Sequence, residues 1–209
     1  MCKEVVMKGR CVVAFAGHMI DRPDRPSPRF PAWAEPAVQS TIRESITRLC
    51  PAVVVSSAAC GGDIIFAEEA LRQEIPLYVV LPFKDRRSFI HHSLAYAGES
   101  WVRRFRKVCK RAEQVYFVKP GPYENEGDFV DNQHAVIFFA LGFAASAEMR
   151  LTCLILYDDT QPEDGIGGTV SFLKLLTGLG IEFEAINMTV VRTDHELQWK
   201  LQKEGGENK

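Results

Sequence analysis

The chain has 209 residues, of which 46% are hydrophobic and 25% charged, and its formal net charge is -2. That length carries one large α/β domain and is marginal for two. The near-neutral charge gives no reason to expect a nucleic-acid partner, and no apolar run approaches the roughly 20 residues that span a bilayer.

The longest apolar run, Ala135 to Ala147, is interrupted by Gly142 and Ser146. The first residues are charged and carry no apolar signal core. The six cysteines, Cys2, Cys11, Cys50, Cys60, Cys109 and Cys153, are scattered without a C-x-x-C pair. This pattern suggests neither a zinc site nor a redox motif. The expectation is a reducing, cytoplasmic setting, with no metal and no cofactor.

In chain order, Cys11 to Ala16 is a short apolar run and reads as a buried strand, closed by Gly17 and His18. Asp21 to Pro31, with Pro23, Pro26, Pro28 and Pro31, is a loop. Val38, Ile42, Ile46 and Leu49 recur at helical spacing and give an amphipathic helix. Ala52 to Val55 is the second strand. It runs into Ser56-Ser57-Ala58-Ala59-Cys60-Gly61-Gly62-Asp63, then into a helix with Ile64, Ala67 and Leu71 on its buried stripe.

Leu77 to Leu81 is the third strand, stopped by Pro82, and Phe83 to Gly98 reads as an irregular excursion with one short helix. Trp101, Phe105, Val108 and Ala112 form the core face of a further helix, with Arg103, Arg106, Lys107, Lys110 and Arg111 largely off it. Val115 to Val118 is the fourth strand. A long apolar helix spans about 130–148. It is greasy on more than one face, so it is either buried on two sides or part of a homodimer interface. Thr152 to Tyr157 and Glu182 to Ile186 are the fifth and sixth strands, flanking a helix around Thr169 to Leu176. The tail from about 196 to 209 is polar and expected to fray.

Strand and helix alternate throughout, which favours parallel pairing through right-handed crossovers. The expected fold is α/β: a Rossmann-like, doubly wound, three-layer sandwich with a mainly parallel sheet of about six strands. The expected organisation is a single domain over residues 1–209, with a core of about 11–187. Ligands in such sheets bind at the carboxyl ends of the strands, where strand order reverses. That rule selects Gly17-His18, Ser56 to Asp63, Pro82-Phe83 and Asp158 to Thr169.

Two of these places are glycine-rich turns into helices. At the first, Gly61 and Gly62 let a backbone approach an anion closely, and helix N–H groups favour a phosphate or carboxylate. Asp63 either caps that helix or hydrogen-bonds a sugar hydroxyl. The second turn is Gly165-Ile166-Gly167-Gly168-Thr169, where Thr169 donates a hydroxyl hydrogen bond or caps. The competing reading is a pair of ordinary strand-to-helix connections. The turns are neither a G-x-G-x-x-G fingerprint at the first strand nor a G-x-x-x-x-G-K-[ST] loop.

Beside the turns, His18 at a strand end and Ser57 are ligand-binding candidates, and Arg104 is the arginine of the basic helix best suited to a phosphate. Glu68, beside Glu69, and Asp158, beside Asp159, are the candidate catalytic carboxylates; their bland alternatives are a solvated face and turn formation. His91 and His92 point apart on a helix and do not share a metal. Cys60 lies at a helix N-terminus, which lowers a thiol pKa, but no His or Asn near it in sequence marks a nucleophile.

Ser57 to Asp63, followed by Ala70-Leu71, resembles the strand–turn–helix of the DNA-processing protein A (DprA/Smf) Rossmann domain. Gly165 to Thr169 is similar to the second glycine motif, PGGxGTxxE, of the lonely-guy (LOG, "lysine decarboxylase-like") proteins. Both groups belong to the SLOG superfamily. Together with Ala16-Gly17-His18, Leu81-Pro82-Phe83 and Trp101 to Phe105, the chain looks closest to SLOG-like modules of nucleotide signalling. The resemblance spans Val12 to Ile186.

It implies a pocket for a nucleotide or nucleotide-derived ligand, used either for sensing or for cleaving an N-glycosidic bond. The LOG glutamate falls on Phe172, the motif's proline on Asp164 and its second glycine on Ile166. Phenylalanine neither moves a proton nor stabilises an oxocarbenium-like charge. The reading therefore favours a binding module. The alternative is a hydrolase or ribosyltransferase acting on a nucleoside phosphate, with Glu68 or Asp158 in place of the missing glutamate.

Overall fold

The computed structural model describes residues 11–158 and 168–193. Six strands form one all-parallel sheet: β1 Cys11–Gly17, β2 Val53–Ser56, β3 Leu77–Phe83, β4 Gln114–Lys119, β5 Arg150–Tyr157 and β6 Phe183–Asn187. Their spatial order is β4-β3-β2-β1-β5-β6. The chain winds outward from β1 to β4, then returns to the other side of β1. The reversal falls between β1 and β5, the place where doubly wound sheets open a crevice.

Side-chain alternation along β1 divides the core. Cys11, Val13 and Phe15 join one apolar cluster, and Val12 and Ala14 join the other. A period of two on a strand buried on both faces produces this split. On the first face lie α1 Glu35–Leu49, α2 Gly62–Arg72, α3 Arg86–Ser93 and α4 Glu99–Arg111. On the second lie α5 Gly127–Ser146 and α6 Thr169–Leu179. The layers are helix, sheet, helix.

Local chemistry explains the elements. Val38, Ile42 and Ile46 bury the inner stripe of α1, which Cys50 ends in a left-handed cap at φ 45°. Asp85 caps α3 by accepting the amides of Arg87 and Ser88, inside the stretch expected to be irregular. Phe15 of β1 stacks on Phe66 of α2 with ring centroids 4.4 Å apart; truncating either ring of such a buried pair costs about 3–5 kcal/mol.

Proline does not stop β3 where expected, because β3 runs through Pro82 to Phe83. Its ladder with β2 ends at Val79, and beyond that point β3 pairs with β4 alone. On the side where its neighbour has ended, a strand tolerates a residue without an N–H.

Helix α5 crosses behind β3, β2 and β1 to reach β5. Its greasiness is largely accounted for by packing. Phe143 lies on Tyr78 at 4.4 Å and Phe139 on Tyr116 at 4.3 Å, and Phe138 is the α5 aromatic that stays exposed, at 60%. Among the described residues no helix is long and apolar enough to cross a membrane.

Candidate functional site

The loop leaving β1 is sewn down on both sides. The His18 amide donates to Leu156 O on β5 at 3.0 Å, and its carbonyl accepts the Gly62 amide of α2 at 3.0 Å. The Ile20 amide donates to Cys60 O at 3.3 Å. The His18 side chain, buried in this seam, accepts the Asp158 amide at Nε2 over 2.8 Å. An accepting Nε2 puts the proton of a neutral ring on Nδ1, by geometry. Nδ1 lies 3.2 Å from Thr169 Oγ1. His18 therefore ties the ends of β1 and β5 to the start of α6.

Asp63 sits one residue into α2. It does not cap that helix. Its Oδ1 accepts the Gly17 amide at 3.2 Å and its Oδ2 the Ala59 amide at 3.3 Å. Burial pushes the Asp63 carboxyl up to about 7, against the two amides that draw it down.

Between these groups, at the β1–β5 reversal, is a cavity of about 470 Å³, within the range that holds small-molecule ligands. Gly17, His18, Ser57 and Asp63 line the sheet end, and Gly168, Thr169 and Val170 open α6 onto it. Asn132, Gln133 and Val136 of α5 form one wall, with Phe172 of α6. Gln133 Nε2 donates to Gly168 O at 2.9 Å, joining α5 to that helix start.

Another part of the lining is aromatic. Phe89, His92, Tyr96, Tyr123 and Phe129 contribute to it, and the His92 ring lies 3.9 Å from that of Tyr123. The proline-rich loop adds Arg22, Arg25 and Arg29. Arg22 lies over the Tyr96 ring at 4.4 Å, and Arg25 reaches Asp21 at 3.4 Å. Among the described residues, Asp21, Asp63 and Glu126 are the carboxylates of the lining. The loop therefore adds three guanidinium groups to the lining, with Asp21 against Arg25. Among the described residues no group of His, Cys, Asp and Glu is arranged to hold a metal.

Of the residues singled out from sequence, Gly17, His18, Ser57, Asp63, Gly168 and Thr169 line this cavity, whereas Gly61 and Gly62 do not. The Gly62 amide is spent on His18 O, and a Cβ on Gly61 would stand 2.5 Å from Ile20 N. The two glycines let α2 abut the β1 loop, and their amides do not present an anion cradle to the cavity.

Glu68 and Arg104 do not line this cavity either. Arg104 Nη2 pairs with Glu68 at 2.9 Å and its Nη1 with Glu35 at 2.6 Å, while its guanidinium covers Trp101 at 3.9 Å. This cluster binds α2 to α4 away from the cavity. Asp158 is buried and its carboxylate accepts from Arg192 at 2.6 Å and Thr189 at 3.3 Å, so it is committed to the packing of residues 188–193. Gly167 lies outside the described residues. Cys60 is not activated: burial pushes its thiol up to about 11, and the thiol donates to Tyr96 Oη at 3.1 Å.

Sequence reasoning missed the arginines, Tyr96, Tyr123 and Asn132. Three arginines within one proline-rich loop after a strand end were a usable signal. Asn132, a polar residue at i+4 from Asp128 and i−4 from Val136 on the inner stripe of a largely apolar helix, was another.

No family model and no curated protein matches the chain. Among solved structures it is similar to the DNA processing protein A of Streptococcus pneumoniae, at 12% identity and TM-score 0.38, covering 84% of this chain and 58% of that one. It is also similar to the Moco carrier protein of Chlamydomonas reinhardtii, at 10% identity and TM-score 0.33, covering 91% of this chain and 99% of that one. The chain thus spans little more than half of the first protein. At such identity neither likeness says what this chain binds.

Proposed function

We propose that the β1–β5 cavity binds a nucleotide or nucleotide-derived small molecule, and that the protein is a SLOG-type binding module used in signalling. The observation that carries this reading is the make-up of a single cavity. An α6 N-terminus and the arginines of the proline-rich loop supply anion-binding groups, aromatic rings supply a stacking wall, and a buried carboxyl and amide lie between. Helix-terminal amides and guanidinium groups suit a phosphate. Aromatic faces suit a base, and Asp63 suits a ribose hydroxyl.

Calorimetric titration of the full chain with the four common nucleoside monophosphates and NAD tests the reading. Saturable binding of at least one is expected, with Arg22→Ala weakening the nucleotide about tenfold and leaving the matching nucleoside unchanged. Absence of heat with every compound, confirmed by an unshifted melting temperature, overturns it.

One observation favours cleavage of an N-glycosidic bond as a second reading. Asp63 is a carboxyl on the cavity wall whose pKa, about 7, lies near neutrality, where proton transfer is most effective. Chromatography of nucleoside monophosphates incubated with the protein decides. Free base that vanishes in Asp63→Asn supports turnover, and no base release leaves binding alone.

A further inference from the structure

Helix α5 presents a buried stripe at four-residue spacing, Asp128, Asn132, Val136 and Ala140. Two of the four are polar, and only one is explained by its neighbours. Asp128 receives Lys119 at 2.6 Å and the Glu124 amide at 2.8 Å. Asn132 is 5% exposed, and among the described residues its Oδ1 has no hydrogen-bond partner. An unmatched buried acceptor destabilises the fold, and a leucine would continue the stripe without that cost. A native chain that keeps such a group usually keeps it for a ligand, an ion or a bound water.

The surroundings favour a ligand. Asn132 lines the cavity, as do Phe129 one turn before it and Val136 one turn after. Phe129 packs on Tyr123 at 5.8 Å, and Tyr123 on His92 at 3.9 Å. A polar amide thus adjoins a run of flat rings, while the arginines sit on the loop after β1. A carboxamide offers one acceptor and two donors, and it pairs in bidentate fashion with an adenine edge, taking the amino N–H and giving an N–H to the adjacent ring nitrogen.

We propose that Asn132 reads the base: its Oδ1 accepts a hydrogen bond from the exocyclic amino group of a purine held beside Phe129 and Tyr123. The inference rests on the nucleotide reading and narrows it to an amino-bearing base. It makes α5 the base wall and leaves the arginine loop and the start of α6 to the phosphate.

The test is calorimetry of the full chain with AMP and with purine riboside 5′-monophosphate, which differs only in lacking the 6-amino group. Wild type is expected to bind AMP about tenfold more tightly. Asn132→Leu is expected to lose that preference through weaker AMP binding alone, while its apo form unfolds at no lower urea concentration than wild type. Equal affinity of the two compounds for wild type overturns the inference without any variant. A preference that survives in Asn132→Leu also overturns it and leaves the nucleotide reading intact. If wild type binds neither compound and none of the wider nucleotide panel, both fall together.

Discussion

The His18 imidazole accepts the backbone N–H of Asp158 across 140 residues of chain, at 2.8 Å, with both residues buried. The bond closes the seam between β1 and β5 and sets the ring against Thr169 Oγ1. His18→Ala leaves the Asp158 amide buried without an acceptor and removes the link to α6. We expect a loss of about 2–4 kcal/mol in urea unfolding. A loss under about 0.5 kcal/mol would show that the seam does not depend on this ring.

Gly61 and Gly98 both hold positive φ, 97° and 98°, but their surroundings differ. A Cβ at Gly61 would meet Ile20 N at 2.5 Å and His18 O at 2.8 Å, while one at Gly98 would meet nothing within 4 Å among the described residues. Gly98→Ala therefore bears only the positive-φ backbone cost, about 1–3 kcal/mol. Gly61→Ala adds displacement of the β1 loop and should cost about 2 kcal/mol more. Equal effects in thermal melts would contradict the close packing of α2 on that loop.

The raised pKa of Asp63 has a definite sign in stability. Burial favours the protonated carboxyl, so the folded state binds this proton up to about pH 7, whereas the unfolded chain releases it near pH 4. Stability from this group is complete below about pH 4 and is lost as pH rises through about 7. Asp63→Asn removes that dependence. The stability of wild type minus that of Asp63→Asn should fall between pH 4.5 and 7.5, then level off. Urea titrations of both proteins at four pH values check it, and a difference that grows with pH would reverse the assignment.

Glu68 is half of a fixed ion pair with Arg104 between α2 and α4, and Glu35 shares that arginine. Glu68→Gln should cost about 1 kcal/mol of stability and leave nucleotide affinity unchanged within about twofold. A larger fall in affinity, with stability preserved, would bring Glu68 back to the site.

Much of the site was readable as places and less as groups. The strand-end rule, applied to an alternating pattern, selects Gly17-His18, Ser56 to Asp63, Pro82-Phe83 and Asp158 to Thr169; of these, Gly17, His18, Ser57, Ala59, Asp63, Gly168 and Thr169 line the cavity, whereas Pro82, Phe83 and Asp158 do not. The same rule gives no depth. Gly61 and Gly62 look like a phosphate turn because small residues after a strand serve two needs, close approach of a ligand and close approach of another piece of backbone. Only the His18 carbonyl, arriving from β1, shows which need is met. Glu68 and Arg104, 36 residues apart, each look free in sequence until α2 and α4 pack and they neutralise one another. The arginines of the proline-rich loop carry no directional signal in sequence, because a loop has no periodicity from which to infer where a side chain points.

The sequence by itself determined the layers. Alternating apolar runs and 3.6-residue stripes force strands and helices, and buried strands joined through helices force parallel pairing. Strand order, and with it the β1–β5 crevice, was decided by tertiary packing alone. It depends on where α5 crosses the sheet, a matter of which apolar surfaces fit together and not of any local preference along the chain.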